Sequence, residues 1–211
     1  AAQHIYQDEG CERFEVGLKT RFLDDMLSLN GAAYRTKSEN SYFFQFLFQS
    51  STQILGNVPE TRIEGFELEA LLRPMRVLQV NAALGMTWSE IREFRDPSVP
   101  GNEAPLISRS TINLGVQYTP ELGGGLNGML RADYRRTGRT WWDVPNSTVR
   151  RPIDLVDARA GVEGESWGVF AFAKNLFNEE YNAEFSPGGF VFKARPRVYG
   201  VDATFKFLRL R

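Results

Sequence analysis

Apolar and polar residues alternate along this chain with a period of two, over stretches that recur from one end to the other. From 13 to 22 the even positions are Phe14, Val16, Leu18, Thr20 and Phe22, and the odd ones Arg13, Glu15, Gly17, Lys19 and Arg21. From 78 to 89, Leu78, Val80, Ala82, Leu84, Met86 and Trp88 interleave with Gln79, Asn81, Ala83, Gly85, Thr87 and Ser89. The last stretch sets Tyr199, Val201, Ala203, Phe205 and Phe207 against Gly200, Asp202, Thr204 and Lys206. A period of two places each set on one face of a strand, so the chain is confined to long, two-faced strands.

Repeating the count gives nine strands, over 12–23, 26–48, 53–73, 77–91, 106–119, 125–138, 153–163, 167–177 and 196–207. All are expected to be antiparallel neighbours. The second and third make one tall hairpin turning near Gln49 to Gln53, its upper part carrying Phe43, Phe44, Phe46 and Phe48. The stretch Trp167 to Leu176 is apolar on both parities, so its facing stays open. Short connections, at Asp24-Asp25, 73–76, 120–124 and 163–166, alternate with long polar ones at about 92–105, 139–152 and 178–195. Gly123-Gly124-Gly125 reads as a turn rather than a phosphate loop, because neither Lys nor a helix follows it.

A soluble sandwich has strands of about five or six residues and connections short at both ends. Strands of a dozen residues, with tight turns at one end and long loops at the other, belong to an outer-membrane barrel. About 9 to 11 tilted residues cross the hydrocarbon, and only a closed barrel satisfies strand backbones in lipid. The expected fold is therefore all-β, an antiparallel up-and-down transmembrane β-barrel. Nine is odd where single-chain bacterial barrels are even, so the expectation is an incomplete barrel that starts inside a loop.

The averages conceal this. A mean hydropathy of −0.33 and 25 basic against 26 acidic residues resemble a soluble chain, because lipid-facing Phe, Leu, Val and Tyr alternate with charges. The near-zero balance gives no case for a nucleic-acid partner. One Cys and one His, Cys11 and His4, make neither an intrachain disulfide nor a metal site, and no cofactor is expected. The uncharged run Asn40 to Pro59 has the length of a spanning helix, but its glutamines and its alternation exclude one. Ala1 to Asp8 lacks a basic start and an apolar stretch, so it is not a signal peptide; the chain either stays in the cell or begins after a cut.

Four motifs then resemble one family. Phe14-Glu15-Val16-Gly17-Leu18-Lys19-Thr20 with the Asp24-Asp25 turn, Gly65-Phe66-Glu67-Leu68-Glu69, Lys174-Asn175-Leu176-Phe177-Asn178-Glu179-Glu180-Tyr181, and Arg195-Pro196-Arg197-Val198-Tyr199-Gly200-Val201 stand in the order of the C-terminal barrel strands of TonB-dependent outer-membrane receptors. The resemblance implies active uptake of a scarce nutrient, most often a ferric siderophore, across the outer membrane of a Gram-negative bacterium. It also implies an N-terminal plug domain, energy from the TonB system, and contact with outer-membrane lipid and lipopolysaccharide. Tyr199, Val201, Phe205 and Phe207 would be the closing strand read during assembly, although Leu208-Arg209-Leu210-Arg211 follows the last aromatic. At about 23 residues per strand with its loop, a 22-stranded plugged barrel needs roughly 500 residues, so this chain covers somewhat less than half of one. The alternative is a complete small barrel serving as a pore or structural protein.

The candidate functional residues are of two kinds. Glu15, Lys19, Arg21, Glu67, Glu69, Arg131, Asp133, Arg135, Asp157, Arg159, Asp202 and Lys206 are the charges on the polar parity. They line a wet lumen and pair across strands, or some of them contact the plug. Arg139, Trp141, Trp142, Arg150 and Arg151 crowd one long connection and suit an anionic aromatic chelate. The indoles equally suit an interfacial aromatic girdle, and the arginines lipopolysaccharide phosphates. Arg92, Arg95 and 185–192 are further loop candidates. Glu67 and Glu69, roughly 7 Å apart on one strand face, have a glycosidase-like spacing, but such pairs are common in any sheet and no catalysis is expected.

Overall fold

The computed structural model describes residues 7–47, 52–186 and 189–207, and every regular element in it is a strand. These are β1 (Gly10–Phe22), β2 (Leu27–Leu47), β3 (Thr52–Met75), β4 (Leu78–Glu93), β5 (Ser110–Tyr118), β6 (Glu121–Gly123), β7 (Leu126–Thr137), β8 (Thr140–Trp141), β9 (Val149–Arg150), β10 (Ile153–Glu163), β11 (Trp167–Lys174), β12 (Asn182–Ser186), β13 (Phe190–Lys193) and β14 (Val198–Phe205). Nine of them form one antiparallel meander in the order β1-β2-β3-β4-β5-β7-β10-β11-β14, with β6 a short spur on β7. They correspond to the nine strands of the alternation pattern. The tip of the β2–β3 hairpin, Phe48, His4 and the tail Leu208 to Arg211 lie outside the described residues.

The differences from the sequence pattern have local causes. The strand expected from 106 starts at Ser110, because Leu106 takes a left-handed φ of 64° and the chain up to Arg109 belongs to a loop. A bulge between Leu72 and Met75 carries β3 through Pro74, where a turn is expected. The strand expected to reach 177 stops at Lys174, because Asn175 and Asn178 turn with φ of 50° and 57°. The connections over 139–152 and 178–195 are not structureless, since they hold the small hairpins β8–β9 and β12–β13. At the other end the turns are tight: Leu23, Asp24 and Asp25 are all left-handed, and Gly123, Gly124 and Gly125 have φ of 83°, 61° and 76° with open space around each.

The strand pairing is staggered in the manner of a barrel wall. One row of partners runs Phe22, Leu27, Leu72, Val80, Val116, Ala132, Ala158, Ala173, Tyr199. It begins at the last residue of β1 and ends next to the first residue of β14. Successive strands are thus displaced along their axes, as tilted strands in a closed sheet must be.

Register also assigns the faces. Phe14, Val16, Leu18, Leu68, Leu114, Val116, Leu130, Val169, Val201 and Phe205 lie on one face, each at least 42% exposed. Apolar exposure on that scale has no place in water. The opposite face is polar and resolves the ambiguous stretch: Phe170 pairs with Asp202 and Gly161, and Phe172 with Arg159, so both phenylalanines lie on the polar side. At Gly65, Gly161 and Gly200 on that face, a neighbouring aromatic fills the space. Tyr34 lies across Gly65, where an added Cβ would stand 2.6 Å from its hydroxyl, and that hydroxyl reaches Thr87 Oγ1 at 2.9 Å.

The apolar face changes character toward the long-loop end, which alternation alone does not reveal. Arg35, Lys37, Glu39, Glu60, Arg62, Glu64, Glu90 and Arg92 continue the parity of the apolar residues, but they pair with one another: Lys37 with Glu39 at 2.6 Å, Arg62 with Glu64 at 3.1 Å and Arg92 with Glu90 at 2.7 Å. Phe66 and Trp88, ring centroids 5.9 Å apart, sit at the junction of the two zones. An apolar band edged by aromatics and then by charge marks where a membrane interface falls.

Candidate functional site

At the long-loop end two connections fold together into the largest buried apolar cluster among the described residues. Ile91 is fully buried, and Val58, Val99, Ala104 and Val144 pack with it, flanked by Phe43, Phe94 and Ile107. Beside it on β2, Asn40 takes a φ of 57° and the Ser38 and Ser41 hydroxyls bond at 2.6 Å, with Ser41 the register partner of Val58. Polar contacts lock the two loops to each other. Asn146 receives the Glu103 backbone N–H at 2.9 Å and donates to the Glu103 carbonyl at 2.8 Å, while Asn102 donates to the Val144 carbonyl at 3.1 Å. Asp143 caps its own turn by accepting from the Ser147 and Thr148 backbone N–H groups. Ser98 similarly donates to Asp96 through its backbone and its hydroxyl, which holds that carboxyl below the usual aspartate pKa.

This cluster gives a direct test. Ile91→Ala is expected to cost about 2–5 kcal/mol, confined to the loops because the strand ladder below is untouched. Limited proteolysis should cut within 94–109 and 139–148 while the barrel's resistance to SDS at room temperature persists; unchanged loop protection would refute the packing.

Of the five loop candidates, four fall into two guanidinium–indole pairs. The Arg139 guanidinium lies 5.3 Å from the Trp141 ring and that of Arg150 5.4 Å from Trp142. The pairs differ in electrostatics. Arg139 donates to Glu103 at 2.5 Å, so it has an acidic partner, which it shares with Arg109 at 3.3 Å. Arg150 donates to Thr140 Oγ1 at 3.1 Å and has no acidic partner among the described residues. Burial pulls its pKa below the ordinary guanidinium value, with Tyr181 opposing the shift. Arg151 is exposed and stands apart from these pairs. Trp141 and Trp142 are in the loop hairpin and its exit, not on a long strand; Trp142 meets Phe185 at 6.3 Å. Of the weaker candidates, Arg92 is paired with Glu90, while Phe190 and Phe192 are exposed on β13.

Eleven of the twelve polar-parity charges lie on strands, where register sets them on one face, and Lys206 follows the end of β14; many are matched there. Arg13 donates to Glu15 at 2.6 Å, Arg131 to Asp133 at 2.6 Å and to Gln117 at 3.1 Å, and Arg159 to Asp202 at 2.6 Å. Arg135 stands 3.6 Å from Asp157, which accepts the Asn175 backbone N–H at 2.8 Å, and Arg21 stands 3.6 Å from Asp25. Asn30 reaches Glu69 at 3.4 Å, whereas Glu67, Lys19 and Lys206 have no ion pair among the described residues. Arg159 also lies 4.6 Å over the Phe170 ring, which in turn covers Gly161. No group of three or more metal-binding side chains occurs among the described residues.

The closing strand β14 runs over Val198–Phe205 rather than 196–207 and exposes Tyr199, Val201 and Phe205 by 78%, 67% and 67%, while Phe207, exposed by 92%, follows its end. The Asn175-Leu176-Phe177-Asn178 motif acts as a fastener above it. Asn175 is buried, accepts the Glu179 N–H at 2.8 Å and donates to the Glu179 carbonyl at 2.9 Å, while Asn178 accepts the Arg197 N–H at 2.9 Å. Sequence reasoning misses Glu103, Arg109 and Asn146: Glu103 meets Arg139 and Asn146 from 36 and 43 residues away, while Arg109 meets it within one loop that carries no periodic pattern. The only signal for them is the run of turn formers around Pro145-Asn146.

Comparison with known proteins places these features in context. A family model described as TonB dependent receptor-like, beta-barrel, matches residues 12–176. The ferric yersiniabactin uptake receptor FyuA of Yersinia pestis superposes with a TM-score of 0.81 at 18% identity, over 95% of this chain and 30% of its own. BauA, the ferric preacinetobactin receptor of Acinetobacter baumannii, gives 0.75 at 16% identity, over 93% and 29%. The copper transporter OprC gives 0.72 at 16%, over 97% and 33%. The chain thus spans about a third of the length of these structures.

Proposed function

The chain belongs to the TonB-dependent receptor β-barrel family, and on that premise we propose that it forms part of the wall and several extracellular loops of an outer-membrane receptor that imports a scarce nutrient. The nutrient is most simply a ferric siderophore, carried inward by a plug domain under energy supplied through TonB in a Gram-negative bacterium. The observation that carries this reading is the pair of guanidinium–indole surfaces at the long-loop end, standing above a polar wall of largely matched charge. A wet face of paired charges suits a mobile internal domain better than a fixed ligand. Upright loops rich in Arg and Trp suit an anionic, partly aromatic chelate. The charged zone above the apolar band would face lipopolysaccharide headgroups. The chain's residues bind and orient; no covalent step is assigned to them.

The test uses the full-length receptor in a strain lacking its other iron-uptake receptors. Growth on a panel of ferric siderophores should depend on the receptor and on TonB. Growth indifferent to both, or rescue by copper alone, would contradict the ferric reading.

A further inference from the structure

The hairpin β12–β13 is held fast at its base and bare on one side. The Ala194 N–H bonds the Tyr181 carbonyl at 2.9 Å across its foot, and Asn178, which accepts the Arg197 N–H at 2.9 Å, ties the chain leaving it to the end of β11. The two faces of the hairpin differ. Phe185 and its register partner Val191 share one face, which meets the preceding loop where Phe185 approaches Trp142 at 6.3 Å. Phe190 and Phe192 flank Val191 in β13 and so lie on the opposite face, exposed by 70% and 56%. Two neighbouring phenylalanines bare to water, above the apolar band that lipid covers, mark a surface that another part of the protein covers.

Which part follows from where the hairpin stands. Among the described strands β14 ends the sheet and is paired on one side alone, with β11. That edge is unsatisfied in lipid unless a further strand takes it, and the chain spans about a third of the length of the receptors it resembles, so the whole receptor has strands to supply. β14 descends from the long-loop end. An antiparallel partner therefore ascends to that end, and the loop it feeds emerges beside β12–β13. Trp142 approaches the hairpin from the β10 side, and the face of Phe190 and Phe192 is turned away from it, toward that loop. We propose that Phe190 and Phe192 seat the extracellular loop that follows the strand pairing with β14, so that β12–β13 latches the seam at which the barrel closes. Lys193 and Arg195, at the foot of the hairpin, are exposed and form no ion pair among the described residues, which suits a loop that brings a carboxylate beside its apolar contact. The latch adds side-chain contact above the membrane, where the backbone ladder of the seam stops.

The latch rests on the chain being one part of a larger closed barrel and not on what that barrel imports. In the full-length receptor in native outer membranes, Phe192→Cys combined with Cys11→Ser is paired with single cysteines placed along that loop. Mild oxidation should join Phe192→Cys to at least one of them within a single molecule, read as a gel shift reversed by reductant. Phe190→Ser together with Phe192→Ser should speed proteolytic cleavage of the loop at least tenfold and Phe192→Leu less than threefold, whereas Val149→Ser, at an apolar residue 41% exposed on β9, should leave it unchanged. Heat-modifiable migration is checked first, so that failed assembly is not read as an open latch. No cross-link at any position of the loop, a cross-link between two receptors, unchanged cleavage in the double variant, or rapid alkylation of Phe192→Cys that only a ferric siderophore of the growth panel slows would each overturn the proposal. TonB-dependent growth on a ferric siderophore without the cross-link leaves the import reading standing without the latch. The cross-link in a receptor that supports no such growth leaves the latch standing without the import reading.

Discussion

Gly161→Val should all but abolish the folded receptor in the outer membrane. A Cβ at Gly161 would collide with the Val169 carbonyl oxygen and the Phe170 ring, and stand 2.7 Å from Phe170 Cα. Two of these neighbours are backbone atoms of the adjacent strand, which the β10–β11 ladder holds in place. A flexible side chain could yield, but here the strand itself must move, and Phe170 would lose the seat on which Arg159 stacks and pairs with Asp202. The expected cost is about 3 kcal/mol, the upper end for overpacking, which lowers the folding equilibrium constant roughly a hundredfold and leaves less heat-modifiable species to accumulate in the membrane. Gly17→Ala is the matched control, because its Cβ meets nothing nearer than the Gly31 carbonyl oxygen at 3.4 Å. Normal outer-membrane levels of Gly161→Val would show that Phe170 does not occupy the glycine's space.

The second large effect belongs to the apolar face. Leu114 lies mid-strand on β5, 46% exposed, between Ala82 and Tyr134. In water, a charge at such an exposed position would cost little; in hydrocarbon, Leu114→Arg costs about 2–4 kcal/mol. Assembled receptor in urea unfolding titrations should therefore be destabilised by that amount, while Glu67→Arg, on the polar face, changes stability by less than about 0.5 kcal/mol. The sign of the difference is the informative part. If Leu114→Arg were harmless and Glu67→Arg damaging, the two faces would have to be exchanged.

How far these features are legible in the sequence depends on the distance over which each is determined. Strand existence, facing and order follow from period-two patterning and short turns, both local properties, so Val16, Leu114 and Val201 can be assigned to one face from sequence alone. Where both parities are apolar, as at Trp167 to Leu176, the pattern carries no information, and only pairing with Gly161 and Asp202 fixes Phe170. The apolar band's upper limit is hidden for a related reason. Arg35, Lys37 and Arg62 interrupt the alternation without showing that they share a level across strands. The loops are the least legible, since Val99, Ala104 and Val144 look like ordinary loop residues until Ile91 is seen beneath them. Arg139 and Arg150 likewise look equivalent in sequence, and only Glu103, thirty-six residues from Arg139, tells them apart.

The central claim is that one face of this sheet meets lipid and the other meets water. Single cysteines at 112 to 117, in a full-length receptor whose Cys11 is replaced by serine, can each carry a nitroxide label in phospholipid vesicles. Collision with a lipid-soluble relaxant should then dominate at Ile112, Leu114 and Val116, and collision with a water-soluble one at Asn113, Gly115 and Gln117, in strict alternation. Equal aqueous access on both parities would contradict the account.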